Sequence, residues 1–173
     1  MKRVLLGLML STLSLSSWAV DGYKGVKFGS SIDDVINSKL CTYKKIENSV
    51  YNIKEVSSYV CYDLNFSGKK TTAIFTFIDN KFQRISIDVD PDTAYLMEAL
   101  QHKYGRPSSR PDQDQIALSK TTGIPVSFGF DDDTIFVAKR YTNGNSSALL
   151  IYTTSHYEEK IRQLSTSNLS QDI

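Results

Sequence analysis

Residues 71–105 constrain this chain more than any other stretch. Over 71–78, Ala73, Phe75 and Phe77 fall on one side, and Ile74, Thr76 and Ile78 on the other. Over 84–90, Ile85, Ile87 and Val89 oppose Arg84, Ser86 and Asp88. Successive side chains of a strand point to opposite faces, so this alternation predicts two strands, and Asp79-Asn80 supplies the turn that joins them into a hairpin. A helix follows directly. Asp90 is placed to cap it, Pro91 suits a first helical position that needs no N–H, and Leu96, Met97, Leu100 and Tyr104 share one side. Gly105 and Pro107 end it.

The two ends of the chain bound where and how it folds. Lys2 and Arg3, an apolar run over 4–15 and the small-x-small triplet Ser17-Trp18-Ala19 have the layout of an export signal over 1–19. The apolar run is shorter than the ~20 residues a bilayer-spanning helix needs, and no later segment reaches that length, so no membrane insertion is expected. No Cys stands at the processing point to carry a lipid anchor. The expected location is the periplasm, or outside the cell, after cleavage near Ala19. The remaining 154 residues suit one domain, expected over 20–164, with a disordered tail over 165–173. Without the leader, 18 basic residues face 19 acidic ones and no long run of either sign remains, which argues against nucleic acid or anionic membrane as a partner.

Cys41 and Cys61 both lie in the exported part. In an oxidising compartment such a pair predicts a disulfide, whose closed loop of about 20 residues stabilises by ~3 kcal/mol in the chain-entropy model. Neither has a second Cys or a His within a few positions, the spacing a zinc site uses.

Ser30 is placed to cap a helix over 31–40, with Ile32, Val35, Ile36 and Leu40 as its apolar stripe. Residues 43–56 are compatible with one or two irregular strands. Over 58–66, Val60, Tyr62, Leu64 and Phe66 alternate with Tyr59, Cys61, Asp63 and Asn65, and 67–70 turns into the central hairpin. Residues 108–115 are polar, contain Pro111 and read as a mobile loop, with a short strand over 116–119. Val126, Phe128 and Phe130 alternate with Ser127 and Gly129, and Asp131, Asp132 and Asp133 turn the chain into a strand over 134–141. Asn143-Gly144 then returns it over 147–153. Ser155 and Glu158 form a capping-box pattern before a helix whose buried side is Tyr157, Ile161 and Leu164. The order predicts an α+β fold, an antiparallel sheet with helices packed on one face, in two successive helix-then-strands units starting at Ser31 and Asp92.

The sequence holds no recognisable catalytic set, and no cofactor or metal ligands are assigned. His102 follows Glu98 by four residues, which puts both on one helix face, but without a third group a surface hydrogen-bonded pair is the simpler reading. Asp88, Asp90 and Asp92 alternate as in a calcium loop, yet Thr93 and Ala99 stand where an EF-hand requires Gly and an acid. Ser155 is explained as a cap.

Two phrases carry a resemblance: Lys27-Phe28-Gly29-Ser30-Ser31-Ile32-Asp33-Asp34-Val35, and Leu100-Gln101-His102-Lys103-Tyr104-Gly105-Arg106-Pro107. They resemble the helix start and helix end of small exported bacterial envelope proteins of the β-lactamase-inhibitor-like and BamE-like group. That resemblance implies a non-enzymatic adaptor or inhibitor that binds another protein through its sheet or loops. This chain departs from the group in lacking the lipid-anchored Cys, and in ending its first helix at Lys39-Leu40-Cys41 without a following Gly-x-Pro.

Export, domain size and the missing catalytic set together lead to the expectation of a soluble protein-binding module: an inhibitor, an immunity protein or an envelope-assembly accessory. It is expected to act on another envelope or secreted protein by surface contact, without catalysis. The expected contact regions are residues 108–115, residues 131–133 and one exposed sheet face, with Arg110, Asp112, Asp114, Asp131, Asp132 and Asp133 as candidate contact residues. The alternatives are an envelope enzyme acting on cell wall or glycans through Glu98, Asp88 and Asp90, and a carrier of a small ligand in a cavity under the sheet.

Overall fold

The structure, a computed structural model, describes residues 19–47, 53–142 and 144–172. The expected export signal, apart from Ala19, lies outside the described residues, as does Asn143 of the second hairpin turn. In chain order the elements are β1 (Gly22–Tyr23), β2 (Val26–Lys27), α1 (Ile32–Asn37), β3 (Lys44–Lys45), β4 (Val56–Phe66), β5 (Lys69–Ile78) and β6 (Lys81–Val89). There follow α2 (Ala94–Tyr104), α3 (Gln113–Thr122), β7 (Val126–Phe130), β8 (Ile135–Thr142), β9 (Asn145–Thr153) and α4 (Tyr157–Asp172). β1 and β2 form a small hairpin, and the other strands form a seven-stranded sheet in the order β3-β4-β5-β6-β9-β8-β7. Every pairing is antiparallel, so the fold is α+β as expected. Two meanders, β4-β5-β6 and β7-β8-β9, meet along β6 and β9, from Arg84 opposite Thr153 to Val89 opposite Ala148.

Turn chemistry and two bulges set the phase of the central strands. Asp79 and Asn80 both take left-handed backbone, φ 51° and 60°, which matches the twist of the strands they join. Just beyond, Thr76 pairs with Arg84 but Phe77 with Phe82, so Gln83 is an extra residue and both Phe82 and Ile85 are buried. Gln83 remains satisfied there, because its carbonyl and its side-chain oxygen accept from the N–H and hydroxyl of Thr154. In β4, Cys61 pairs with Ala73 and Leu64 with Thr71. This bulge corrects the simple alternation: Cys61 and Leu64 are both fully buried, while Tyr62 is 62% exposed.

The main core lies on one face of the sheet, where Phe75, Phe77 and Phe82 stack with ring centroids 5.8 Å apart in each Phe82 pair. α1 adds Val35 and α2 adds Leu100. A second cluster joins Tyr157 and Ile161 of α4 to Ile53, Val56 and Ile78, on the side of the sheet to which Arg84 points.

Five local expectations are corrected. Ser31, not Ser30, caps α1 through a reciprocal box with Asp34, because Ser30 is held by β6: its carbonyl accepts from the Phe82 N–H. The helix stops at Asn37, two residues before Lys39 turns left-handed at φ 54°. α2 starts at Ala94, since Asp90 and Asp92 accept instead from the N–H groups of Asp92 and Ala94 in successive turns that leave Pro91 ahead of the helix. Residues 113–122, read as loop and short strand, form α3. Asp112 and Gln115 close a capping box at 2.7 and 2.9 Å, and Gly123 ends the helix in left-handed backbone. α4 continues to Asp172 through the segment expected to be a disordered tail. Hydroxyls of Ser165, Thr166 and Ser170 bond back to carbonyls four residues earlier, which lets polar residues sit inside a helix.

Candidate functional site

The alternation that sends Ile85, Leu150 and Val137 into the main core sends their neighbours to the other side of the sheet. α4 covers that side near β4 and β5, and leaves the half built by β6, β9, β8 and β7 open. Here Leu149 sits between Asp88 and Ala138 on the flanking strands, and Ile151 between Ser86 and Phe136. Arg84, Asp88, Ala138, Arg140, Leu149 and Ile151 line a trough of about 490 Å³.

A second hollow, of about 380 Å³, lies between α3 and β7, with Arg110, Pro111, Leu118 and Ile124 among its walls. Pro125 and Ser127 line both hollows, so the two form one continuous surface around β7. Leu118 and Ile124 are 54% and 58% exposed on it. Its charge is one-sided. Among the described residues the linings hold Arg84, Arg110, Lys139 and Arg140 against the single carboxylate Asp88, and because Arg84 is already paired with Glu158, the cations offered to a partner are Arg110, Lys139 and Arg140.

The loops named from the sequence are joined to each other. Asp133 accepts from the hydroxyls of Ser108 and Ser109 at 2.6 and 2.8 Å, and the backbones of Ser109 and Gly129 bridge. This anchors the start of the 108–115 segment, which was expected to be mobile. A Cβ on Gly129 would meet the Asp133 carboxylate and the Ser109 hydroxyl, so a side chain there would have to displace this clasp. Asp131 accepts from the Val20 N–H at 2.6 Å and from the Thr134 hydroxyl at 3.0 Å. All three aspartates have left-handed backbone, φ 53°, 51° and 61°. Asp131, Asp133 and the cap Asp112 are therefore occupied within the fold, whereas Arg110, Asp114 and Asp132 are exposed. Sequence reasoning missed Leu118, Ile124, Arg140 and Leu149. For Leu118 the available signal was the Asp112-x-x-Gln115 capping box, which announces a helix and hence an outward face.

Cys41 and Cys61 form a disulfide with Cα atoms 6.1 Å apart. Beside it, Asp63 accepts from the N–H and hydroxyl of Thr42, both at 2.8 Å, and these bonds hold its carboxyl below the usual range. The cluster of Cys41, Cys61 and Asp63 is thus a covalent link with a polar clasp, its sulfurs being bonded to each other. Glu98 and His102 are both exposed on α2, and no hydrogen bond joins them among the described residues. Asp88, Asp90 and Asp92 line one hollow with Lys69 and Lys70, without Glu98. A further hollow, of about 520 Å³, has Tyr23, Tyr104 and Tyr152 in its wall. Burial pushes the Tyr23 phenol up to about 12, and burial together with Tyr104 and Tyr23 raises that of Tyr152.

A family model described as "Uncharacterised protein" matches residues 23–172. The chain belongs to that family. A relative described as "Uncharacterized protein" from Haemophilus influenzae (strain ATCC 51907 / DSM 11121 / KW20 / Rd) is 33% identical over 175 residues, covering 99% of this chain and 98% of its own length. No solved structure matches the chain. The family match takes in both cysteines, the whole seven-stranded sheet and the lining of both hollows. No helix among the described residues is long and apolar enough to cross a membrane.

Proposed function

We propose that this chain is a protein-binding module that acts by surface contact without catalysis, after export to the periplasm or outside the cell, as an inhibitor, an immunity protein or an envelope-assembly accessory. The continuous surface from Arg84 across β9 and β8 to Leu118 and Ile124 carries the reading. An exposed apolar centre rimmed by polar groups is the composition of an interface rather than of ordinary surface. Guanidinium forks pair with carboxylates in two parallel bonds, so the occupant is a protein surface with an apolar centre and an acidic rim. The Cys41–Cys61 disulfide is compatible with an oxidising compartment.

The test is capture with crosslinking from an envelope extract, using the chain from Val20 onward and two surface variants, Arg140→Glu and Leu118→Asp. Tyr95→Ser, on the exposed side of α2, is the control. One stoichiometric acidic partner that both surface variants lose and the control keeps supports the proposal. Equal capture by all four proteins removes this surface from consideration.

The tyrosine-lined hollow favours a second reading, carriage of a small ligand, because the Tyr23 hydroxyl is buried there without a partner among the described residues. A ligand copurifying in native mass spectrometry, and lost in Tyr23→Phe, would favour it over the first.

A further inference from the structure

We infer that cleavage of the Ala19–Val20 peptide bond completes the fold, by creating at Val20 an α-ammonium that pairs with the Asp131 carboxylate and fastens the amino terminus to the β7–β8 turn. The receptor is built. The Val20 nitrogen stands within hydrogen-bond distance of Asp131 Oδ2, at 2.6 Å, across 111 residues of chain. Asp131 is oriented by its own left-handed backbone and by the hydroxyl of buried Thr134, which shares the same carboxylate oxygen at 3.0 Å. Val20 itself packs against the main core, and its next neighbour Asp21 is tied to β2 through the Phe28 N–H and Lys27. Ala19 is exposed, so the bond to be cut lies at the surface while the nitrogen it releases is already seated.

The step consumes one water. The C–N bond between Ala19 and Val20 breaks, the water oxygen goes to the Ala19 carbonyl carbon, which leaves as a carboxylate, and the Val20 nitrogen takes up both protons of the water to become an ammonium. A peptidase of the export machinery supplies the catalysis. An amide N–H presents one donor and no charge, whereas the ammonium presents three donors and a full positive charge to the same half-buried carboxylate. The aspartates of residues 131–133 thereby divide their work, since Asp133 holds the hydroxyls of Ser108 and Ser109 and Asp131 receives the new terminus.

The inference rests on the export reading, and the two are tested apart. Mass analysis of the exported protein gives its first residue: Val20 supports the processing point, and another start overturns it. For the ion pair, two chains released from a fusion, one beginning at Val20 and one at Ala19, are melted side by side. The Val20 chain is expected to melt higher, by up to about 2–4 °C, the upper end of what an ion pair near the surface gives in a domain of this size. Asp131→Asn keeps the left-handed backbone, which Asn tolerates, and is expected to erase the difference. Identical melting of the two wild-type chains, or a difference that survives in Asp131→Asn, overturns the pairing.

Discussion

The Arg84 guanidinium lies 4.8 Å from the ring centroid of Tyr157 and donates to Glu158 at 2.7 Å. Arg84 belongs to the central strand β6, and Tyr157 opens α4, so one side chain fastens the last helix across the middle of the sheet. The two partners differ in surroundings: the Arg84 side chain is 18% exposed and that of Glu158 78%. Arg84→Ala is expected to lose about 1–2 kcal/mol, chiefly from the ring contact and its packing. Glu158→Ala should lose less than about 1 kcal/mol, as an exposed partner does. Urea denaturation of both variants measures this; equal losses would mean that the ion pair, not the ring, fastens α4.

Reduction is expected to destabilise the fold by ~3 kcal/mol through the freed loop between Cys41 and Cys61. Comparing the urea midpoints of the oxidised protein and the double variant Cys41→Ser, Cys61→Ser gives the figure. A midpoint unmoved by the double substitution would show that Asp63, Thr42 and the core hold this corner unaided.

Alkali should unfold the protein through its buried phenols. The Tyr23 pKa is raised to about 12 from 10.0, so the folded state keeps its proton where the unfolded chain loses it. Stability is therefore fully present below pH 10 and falls as pH rises from 10 towards 12, with Tyr152 acting in the same direction. Melting temperatures across that range, for the wild type and Tyr23→Phe, check it. The variant's slope should be shallower, and an unchanged slope would rule out Tyr23 as a source.

The bulge in β4 makes a test that regular alternation fails. Plain period two puts Tyr62 and Leu64 on the same face, yet Leu64 is buried and Tyr62 exposed. Leu64→Ala is expected to lose about 2–5 kcal/mol, and Tyr62→Ala to stay within about 0.5 kcal/mol. Similar losses from both would restore the uninterrupted strand.

These contrasts also mark how far the sequence could be read. The central hairpin, its Asp79-Asn80 turn and the buried side of α4 were legible because each is a local pattern that tertiary packing reinforces. The bulges at Gln83 and after Cys61 were not, since an extra residue in a strand leaves no signature except the partner it fails to pair with. α3 escaped for another reason. Ile116 and Leu118 make no apolar stripe, and its capping box and Gly123 stop define it instead. At the candidate surface, Arg110 was named from the sequence, but Arg140 and Leu149 come together only through strand order, which no local window contains.

The seam between β6 and β9 gives the chain a vulnerable moment. Emerging amino end first, β4, β5 and β6 close through tight turns early, while β9 arrives only after α2, α3, β7 and β8. Until then β6 is an open edge of unpaired backbone carrying Ile85 and Ile87, a template for any strand of matching register. A neighbouring molecule offers an identical β9, so local concentration during synthesis sets the balance between a self-closed monomer and an exchanged dimer.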